Sequence, residues 1–182
     1  MYGFILLTMN QFTFDRQNEV VTPQLVIDRD QLEKNIDHAL KIAGSAKRLW
    51  PHVKTHKSGE ITSLLIRKGI TKFKCATIAE CEMVAERGAE KALLAYPVVG
   101  PNISRLLDIQ EAFPATEFSG IFDDFAQLQE MSRQCVERNT KCRILLDVNV
   151  GLSRTGIPLE SVPSFYKKAE KLKNILVMGL HC

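Results

Sequence analysis

The sequence predicts an α/β protein built on a parallel sheet. Strand-like and helix-like segments alternate with a period of roughly 20 to 40 residues, which is typical of βα units. No linker or low-complexity segment interrupts the series. The predicted strands are residues 24–28, 48–54, 72–77, 92–97, 117–122, 143–149 and 175–181. The predicted helices lie near residues 30–43, 57–68, 78–88, 100–112, 123–138 and 159–172.

The strand at 48–54 depends on a proline. Pro51 disfavours helix at Trp50 and favours an extended backbone there. Residues two apart on a strand share a face, so Trp50, His52 and Lys54 are expected to lie together.

Cap and stop signals support the predicted helices. Asp30 is placed to cap the first helix and Asp123 the fifth, because a carboxylate can accept hydrogen bonds from free backbone N–H groups. Gly69 and Gly88 stand where helices commonly end.

Composition indicates a soluble globular protein, since the 182 residues are 45% hydrophobic and 25% charged. The net charge of +3 is weak and spread along the chain, which gives no support for nucleic-acid binding. The apolar start, Phe4–Leu7, is too short for a membrane span, and residues 1–20 are interpreted as a poorly ordered leader. Five cysteines without a Cys-x-x-Cys pair favour reduced thiols in a cytoplasmic protein.

The most informative segment is Pro51–Lys57, in which Lys54 stands near two histidines and no acid. Lys54 has three interpretations. It is a solvated surface lysine, a neighbour of a metal pair formed by His52 and His56 at i, i+4 spacing, or a Schiff-base lysine activated by burial and nearby cations. Pro51 argues against the helix that the metal pair needs. Spacing alone leaves the choice open.

The run Pro51-His52-Val53-Lys54-Thr55-His56-Lys57 resembles the pyridoxal 5'-phosphate lysine motif of the D-threonine aldolase and D-serine dehydratase family, fold type III enzymes with an alanine racemase-type fold. Other short segments resemble family motifs in the same order along the chain. They are Thr22–Asp28, Lys74–Glu80, Leu94–Pro97, Gly100–Ile103, Gly151–Gly156 and Gly179–Cys182. The resemblance therefore extends from about Thr22 to Cys182.

The resemblance implies an incomplete (β/α)8 TIM-like barrel of the alanine racemase N-terminal type. Residues 24–28 would be a lead-in strand, and about six barrel strands would follow. Because a complete barrel has eight strands in about 250 residues, residues 21–182 are interpreted as the N-terminal part of a longer protein whose C-terminal β-domain is absent. An apolar last strand would leave a pairing edge open.

Barrel enzymes place reactive groups at the C-terminal ends of strands. By the resemblance, Lys54 would bind pyridoxal 5'-phosphate as a Schiff base, Arg154 would lie near its phenolic oxygen, and His181 would lie near its ring as a proton carrier. Arg154 has the alternative of a surface turn arginine, and His181 that of a packed histidine.

Other residues are weaker candidates for the site than Lys54, Arg154 and His181. His52 could orient Lys54, while Tyr96 and Thr77 could line the cofactor site or simply pack. His56 and Lys57 could face the cofactor phosphate or begin the next helix.

Two residues depart from the family pattern: Trp50 replaces a frequent arginine, and Asn149 replaces a usual aspartate. They leave substrate preference and local hydrogen bonding open. The family's phosphate-binding loops and metal ligands would lie beyond Cys182, so no metal site is predicted in this chain, and a divalent metal is considered only for the full-length protein. One helical segment carries three glutamates that are interpreted as a solvated face: Glu80, Glu82 and Glu86.

The favoured function is a pyridoxal 5'-phosphate-dependent lyase acting on small D-3-hydroxy-amino acids, by retro-aldol cleavage or by dehydration. One alternative is an amino-acid racemase, whose usual Val-Lys-Ala-Asn motif is missing. Another is a non-catalytic cofactor carrier of the single-barrel type, whose lysine context also differs. The full-length protein is expected to be a homodimer with no membrane or nucleic-acid partner, and this chain alone is expected to be inactive.

Overall fold

The computed structural model describes residues 16–24 and 26–182, and the chain divides into two compact units, residues 1–37 and 38–182. The predicted leader falls outside the described residues up to position 15. In the first unit, a 3₁₀ turn at Gln17–Glu19 precedes the start of helix α1, which spans Arg29–Ala43.

The predicted strand at 24–28 is wrong for the part of this segment that is described, and Leu25 lies outside that part. Asp28 begins a helix instead, because its Oδ1 accepts a hydrogen bond from the Gln31 backbone N–H at 2.9 Å. The cap of α1 is therefore Asp28 and not Asp30.

The second unit alternates strands and helices, as predicted. The helices are α2 (Gly59–Arg67), α3 (Ile78–Glu86), α4 (Pro101–Ala112), α5 (Phe125–Glu137) and α6 (Val162–Ala169). The strands are β1 (Lys72–Cys75), β2 (Lys91–Pro97), β3 (Glu117–Phe122), β4 (Cys142–Asn149), β5 (Ile157–Pro158) and β6 (Ile175–His181).

The sheet runs in the order β1-β2-β3-β4, and both β5 and β6 pair with β4. Every pairing between these strands is parallel. This confirms the predicted fold class, an incomplete barrel in which helices alternate with parallel strands. The two-residue strand β5 was not predicted.

The predicted strand at 48–54 is wrong. Its place is taken by the 3₁₀ turns Ala46–Arg48 and Val53–Thr55 and by one isolated parallel bridge between His52 and Lys74. The segment follows the free edge of β1, but it is extended over too few residues to form a ladder.

The expected grouping of Trp50, His52 and Lys54 holds for the face of the sheet but not for a single cavity. Trp50 lines a different cavity from the one shared by His52 and Lys54. Both cavities lie on the same face of the sheet, because Leu145 of the first and Asp147 of the second are two residues apart on β4.

The core of the second unit lies between one face of the sheet and the helices. Phe73, Phe118 and Ile144, from three different strands, are buried there. The predicted helix ends are confirmed at Gly69 and Gly88, whose φ angles of +85° and +87° follow α2 and α3 and favour glycine. The other face of the sheet is free to carry functional groups.

Among residues 16–24 and 26–182, no helix is both long enough and apolar enough to cross a membrane.

Candidate active site

Four of the six predicted site residues line one cavity of about 210 Å³ near the C-terminal ends of β4 and β6. They are His52, Lys54, Arg154 and His181. Two residues that the sequence analysis missed, Lys74 and Asp147, line the same cavity. This is the end of the strands at which barrel enzymes place reactive groups.

Lys54 is exposed, which contradicts the expectation of a buried lysine. It lies in the 3₁₀ turn at Val53–Thr55, where Val53 takes the buried position and is 0% exposed. The turn directs the lysine into the cavity instead of into the core. Its amine is therefore accessible to a ligand.

His52 lies beside Lys54 and accepts a hydrogen bond from the Lys54 backbone N–H at Nδ1, at 3.4 Å. Burial lowers the pKa of His52, and the positive charges of Lys54 and Lys74 lower it further. The charge of Glu80 and a hydrogen bond to the Lys74 backbone oppose these effects only in part. A neutral imidazole is therefore favoured, which suits an acceptor that positions Lys54.

Three side chains from three strands form a continuous hydrogen-bonded chain in the cavity. Nζ of Lys74 in β1 lies 2.9 Å from Nε2 of His181 in β6. Nδ1 of His181 lies 2.7 Å from Oδ1 of Asp147 in β4. Asp147 is 3% exposed, and its Oδ2 has no hydrogen-bond partner among the described residues. A sequence signal did exist for Asp147, which is a charged residue inside an apolar strand pattern.

The loop that carries Arg154 is built on the side chain of Asn149. Its Oδ1 accepts hydrogen bonds from the backbone N–H groups of Gly151 at 2.9 Å and Ser153 at 3.1 Å. Its Nδ2 also donates to Oγ of Ser153 at 3.4 Å. The amide at position 149 thus supplies both the acceptor for the turn and one additional donor.

The far end of this loop is held by Asp123, whose Oδ2 accepts a hydrogen bond from the Gly156 backbone N–H at 2.9 Å. Asp123 therefore does not cap α5. That cap is Asp124, whose Oδ1 accepts a hydrogen bond from the Gln127 backbone N–H at 2.9 Å.

Glu80 is buried, which contradicts the predicted solvated face, whereas Glu82 and Glu86 are exposed as expected. Oε2 of Glu80 accepts a hydrogen bond from the Ala76 backbone N–H at 2.7 Å, and Oε1 forms an ion pair with Lys57. Glu80 therefore ties the segment that follows Lys54 to the turn after β1.

Burial acts to raise the pKa of Glu80, but the hydrogen bonds from Lys57 and from the Ala76 backbone lower it. The positive charge of Lys57 adds to their effect, and the net pKa lies below its ordinary value. The carboxylate form is therefore favoured at neutral pH.

Thr77 and Tyr96 do not line the cavity that contains Lys54. They line a separate cavity of about 480 Å³ together with Leu94 and Arg105. Oγ1 of Thr77 accepts a hydrogen bond from the Glu80 backbone N–H at 3.2 Å and so caps α3, while Tyr96 is 55% exposed.

Within the described residues, no group of three or more histidine, cysteine, aspartate or glutamate side chains is arranged to hold a metal ion.

We expect the folded protein to lose stability as the pH falls below about 6.5, the ordinary pKa of histidine. Burial lowers the pKa of both His52 and His56. The unfolded chain therefore binds more protons than the folded chain between the lowered pKa and 6.5. Urea unfolding across this range should show the free energy of unfolding decreasing as the pH falls and levelling off below the folded-state pKa.

The H56Q variant should weaken this pH dependence, because its side chain at position 56 no longer takes up a proton. The H38Q variant, altered at an exposed histidine, is the matched control. Equal slopes in wild type and H56Q would contradict the assignment to His56.

Comparisons of the sequence and of the structure with known proteins point to the same family and fold. Residues 27–182 match the family model described as alanine racemase, N-terminal domain. The chain is 28% identical over 171 residues to 3-hydroxy-D-aspartate aldolase from Paracoccus denitrificans, covering 90% of this chain and 43% of that enzyme. The chain therefore spans less than half of the length of this relative.

Two solved structures share the fold. The crystal structure of D-threonine aldolase from Filomicrobium marinum superposes with a TM-score of 0.78 at 24% identity, covering 90% of this chain and 44% of that one. A structure described as SrLDC in complex with PLP and cadaverine has a TM-score of 0.69 at 24% identity, covering 90% and 40%. These similarities show that the chain shares the fold of these two structures.

Proposed function

Because this chain belongs to the alanine racemase N-terminal domain family, we propose that it carries the covalent anchor of a pyridoxal 5'-phosphate-dependent lyase, with Lys54 as the anchor. The observation that carries the proposal is that Lys54, Arg154 and His181 line one cavity near the C-terminal ends of the strands. Relatives named as aldolases of 3-hydroxy-D-aspartate and D-threonine support a small D-3-hydroxy-amino acid as substrate.

The residues of the cavity fit this anionic cofactor. Three cations, Lys54, Lys74 and Arg154, line the cavity with one carboxylate, Asp147, so the described lining carries an excess of positive charge. The exposed amine of Lys54 is the nucleophile available for a carbonyl group.

We assign each residue a role from its place in the cavity. Lys54 holds the cofactor covalently, and His52 orients the Lys54 backbone through the hydrogen bond at Nδ1. Arg154 places a guanidinium beside an anionic oxygen of the ligand. His181 keeps Nδ1 bonded to Asp147, which leaves Nε2 as an acceptor inside the cavity.

When bound, pyridoxal 5'-phosphate supplies an electron sink for a bond breaking at the substrate Cα. Retro-aldol cleavage of D-threonine gives glycine and acetaldehyde, whereas loss of water gives an imine that hydrolyses to 2-oxobutanoate and ammonia, so product identity separates the two activities.

The test is borohydride reduction of the 182-residue chain mixed with an equimolar amount of pyridoxal 5'-phosphate, followed by peptide mass spectrometry. We expect one dominant adduct on Lys54, because it is the exposed amine within the cavity. Reduction locks the adduct irreversibly, so weak retention of the cofactor does not hide it.

The K54A variant should lose the dominant adduct, whereas K167A, altered at an exposed lysine outside the cavity, should keep it. A dominant adduct on another lysine in the wild-type chain, or an undiminished adduct in K54A, would refute the assignment.

A further inference from the structure

We propose that Lys74 binds the carboxylate of the amino-acid ligand, with His181 and Asp147 as positioning residues behind it, a role that rests on the proposed function. Lys74 lines the same cavity as Lys54 but belongs to β1, whereas Lys54 lies in the preceding turn. The two lysines thus have separate tasks: one binds the cofactor, and the other recognises the ligand.

The geometry determines which atoms carry protons. A lysine ammonium has donors and no acceptor, so Nε2 of His181 must accept the hydrogen bond from Lys74 over 2.9 Å. The imidazole proton then lies on Nδ1 and is donated to Oδ1 of Asp147 over 2.7 Å. A neutral imidazole with its proton on Nδ1 satisfies both contacts.

This chain orients Lys74 and leaves its remaining donors available. Asp147 is almost fully buried, and its one hydrogen bond to a described residue holds His181. One N–H of Lys74 bonds to His181, and the other two have no acceptor among the described residues. An oriented ammonium with two free donors in a cavity with excess positive charge is suited to a carboxylate.

Lys74 lies in the same small cavity as Lys54, which recognition of an α-amino acid requires. The amine and the carboxylate of an α-amino acid are joined to the same carbon, so their receptors must lie in one small cavity. Lys54 and Lys74 both line the 210 Å³ cavity, together with His52. An α-amino acid in this cavity would place its amine toward Lys54 and its carboxylate toward Lys74.

The charged and titratable groups that line the cavity with His181 come from five parts of the second unit. They are Lys74, Asp147, His52, Lys54, Arg154 and the neighbouring Cys182.

The experiment is NMR of the imidazole nitrogens in the 182-residue chain without cofactor, titrated with D-threonine. We expect His181 to show a protonated Nδ1 and an unprotonated Nε2, and the Nε2 resonance to shift as D-threonine binds. D-threonine amide, which lacks the carboxylate, should bind about tenfold or more weakly, since a charge-assisted hydrogen bond is lost.

The K74M variant should weaken D-threonine binding by about tenfold or more, and K74R should recover part of it because a guanidinium also binds carboxylate. The matched control is K72M, altered two residues earlier in β1, where the amine instead donates to the Lys47 carbonyl at 3.1 Å. This control should bind D-threonine as the wild type does.

Equal binding of D-threonine and its amide by the wild-type chain would overturn the proposal, as would a proton on Nε2 of His181. Stronger competition by inorganic phosphate than by D-threonine would assign Lys74 to a phosphate and would overturn it also. These wild-type readouts hold even if K74M fails to fold. The titration contains no cofactor, so its failure is distinct from the absence of a trapped adduct on Lys54.

Discussion

The G156A variant is expected to lower the free energy of unfolding by about 2 to 5 kcal/mol, combining backbone strain with overpacking. Gly156 has a φ of +100°, and an added Cβ would lie 2.5 Å from the Asn149 backbone nitrogen and 2.6 Å from the Val148 carbonyl carbon. Both atoms belong to the backbone of β4, so they cannot move away from the added Cβ without distorting the strand. Urea unfolding measures the loss.

The same variant should reduce the yield of the borohydride-trapped adduct, because the loop closed by Gly156 carries Arg154. The matched control is G151A in the same loop. Gly151 has a φ of +118°, but no atom lies within 4 Å of an added Cβ, so this variant has only the conformational cost. Equal destabilisation of the two variants would show that the close approach to β4 is unimportant.

The E80A variant is expected to lose about 1 to 3 kcal/mol of stability, because a part-buried backbone donor loses its acceptor. Glu80 accepts the Ala76 backbone N–H at 2.7 Å, and alanine cannot replace this acceptor. The exposed Lys57 amine returns to water, so the lost ion pair adds little. Urea unfolding should show a much smaller loss for E82A, altered at an exposed glutamate of the same helix.

The charge of Glu80 is tested separately with E80Q, which keeps an acceptor oxygen. The pKa of Glu80 is lowered in the folded state, so its contribution to stability is present above its ordinary pKa of 4.5 and is lost as the pH falls through the folded-state value. The wild type should therefore lose more stability than E80Q over this acidic range. Parallel pH profiles for the two proteins would contradict this role for the charge.

Much of the fold follows from local sequence patterns. Apolar runs and glycine stops predict β1 to β4 and β6 because their side chains face a helix layer at regular intervals. The strand predictions are wrong where the local residue pattern suits a strand but the surrounding structure does not pair with it. An extended segment with a proline predicts a strand at 48–54, but only His52 forms a bridge, since whether a segment pairs depends on its neighbour.

The residues of the candidate site likewise fall into two groups, those that sequence motifs identify and those that only the fold brings together. Lys54 and Arg154 belong to short motifs whose residues are close in sequence, so they can be recognised without a structure. Lys74 pairs with His181 across 107 positions, and His181 pairs with Asp147 across 34. Such contacts exist only after the parallel strands bring their ends together.

The sequence by itself determined the helices α1 to α6, the strands β1 to β4 and β6, the family, and the lysine proposed as the anchor, because these depend on residue patterns within a few turns of chain. The tertiary structure decided that Lys54 is exposed, that Glu80 is buried, and that Lys74, His181 and Asp147 form one hydrogen-bonded chain. Burial and pairing of polar groups depend on residues far apart in the sequence, and packing of the sheet brings those residues into contact.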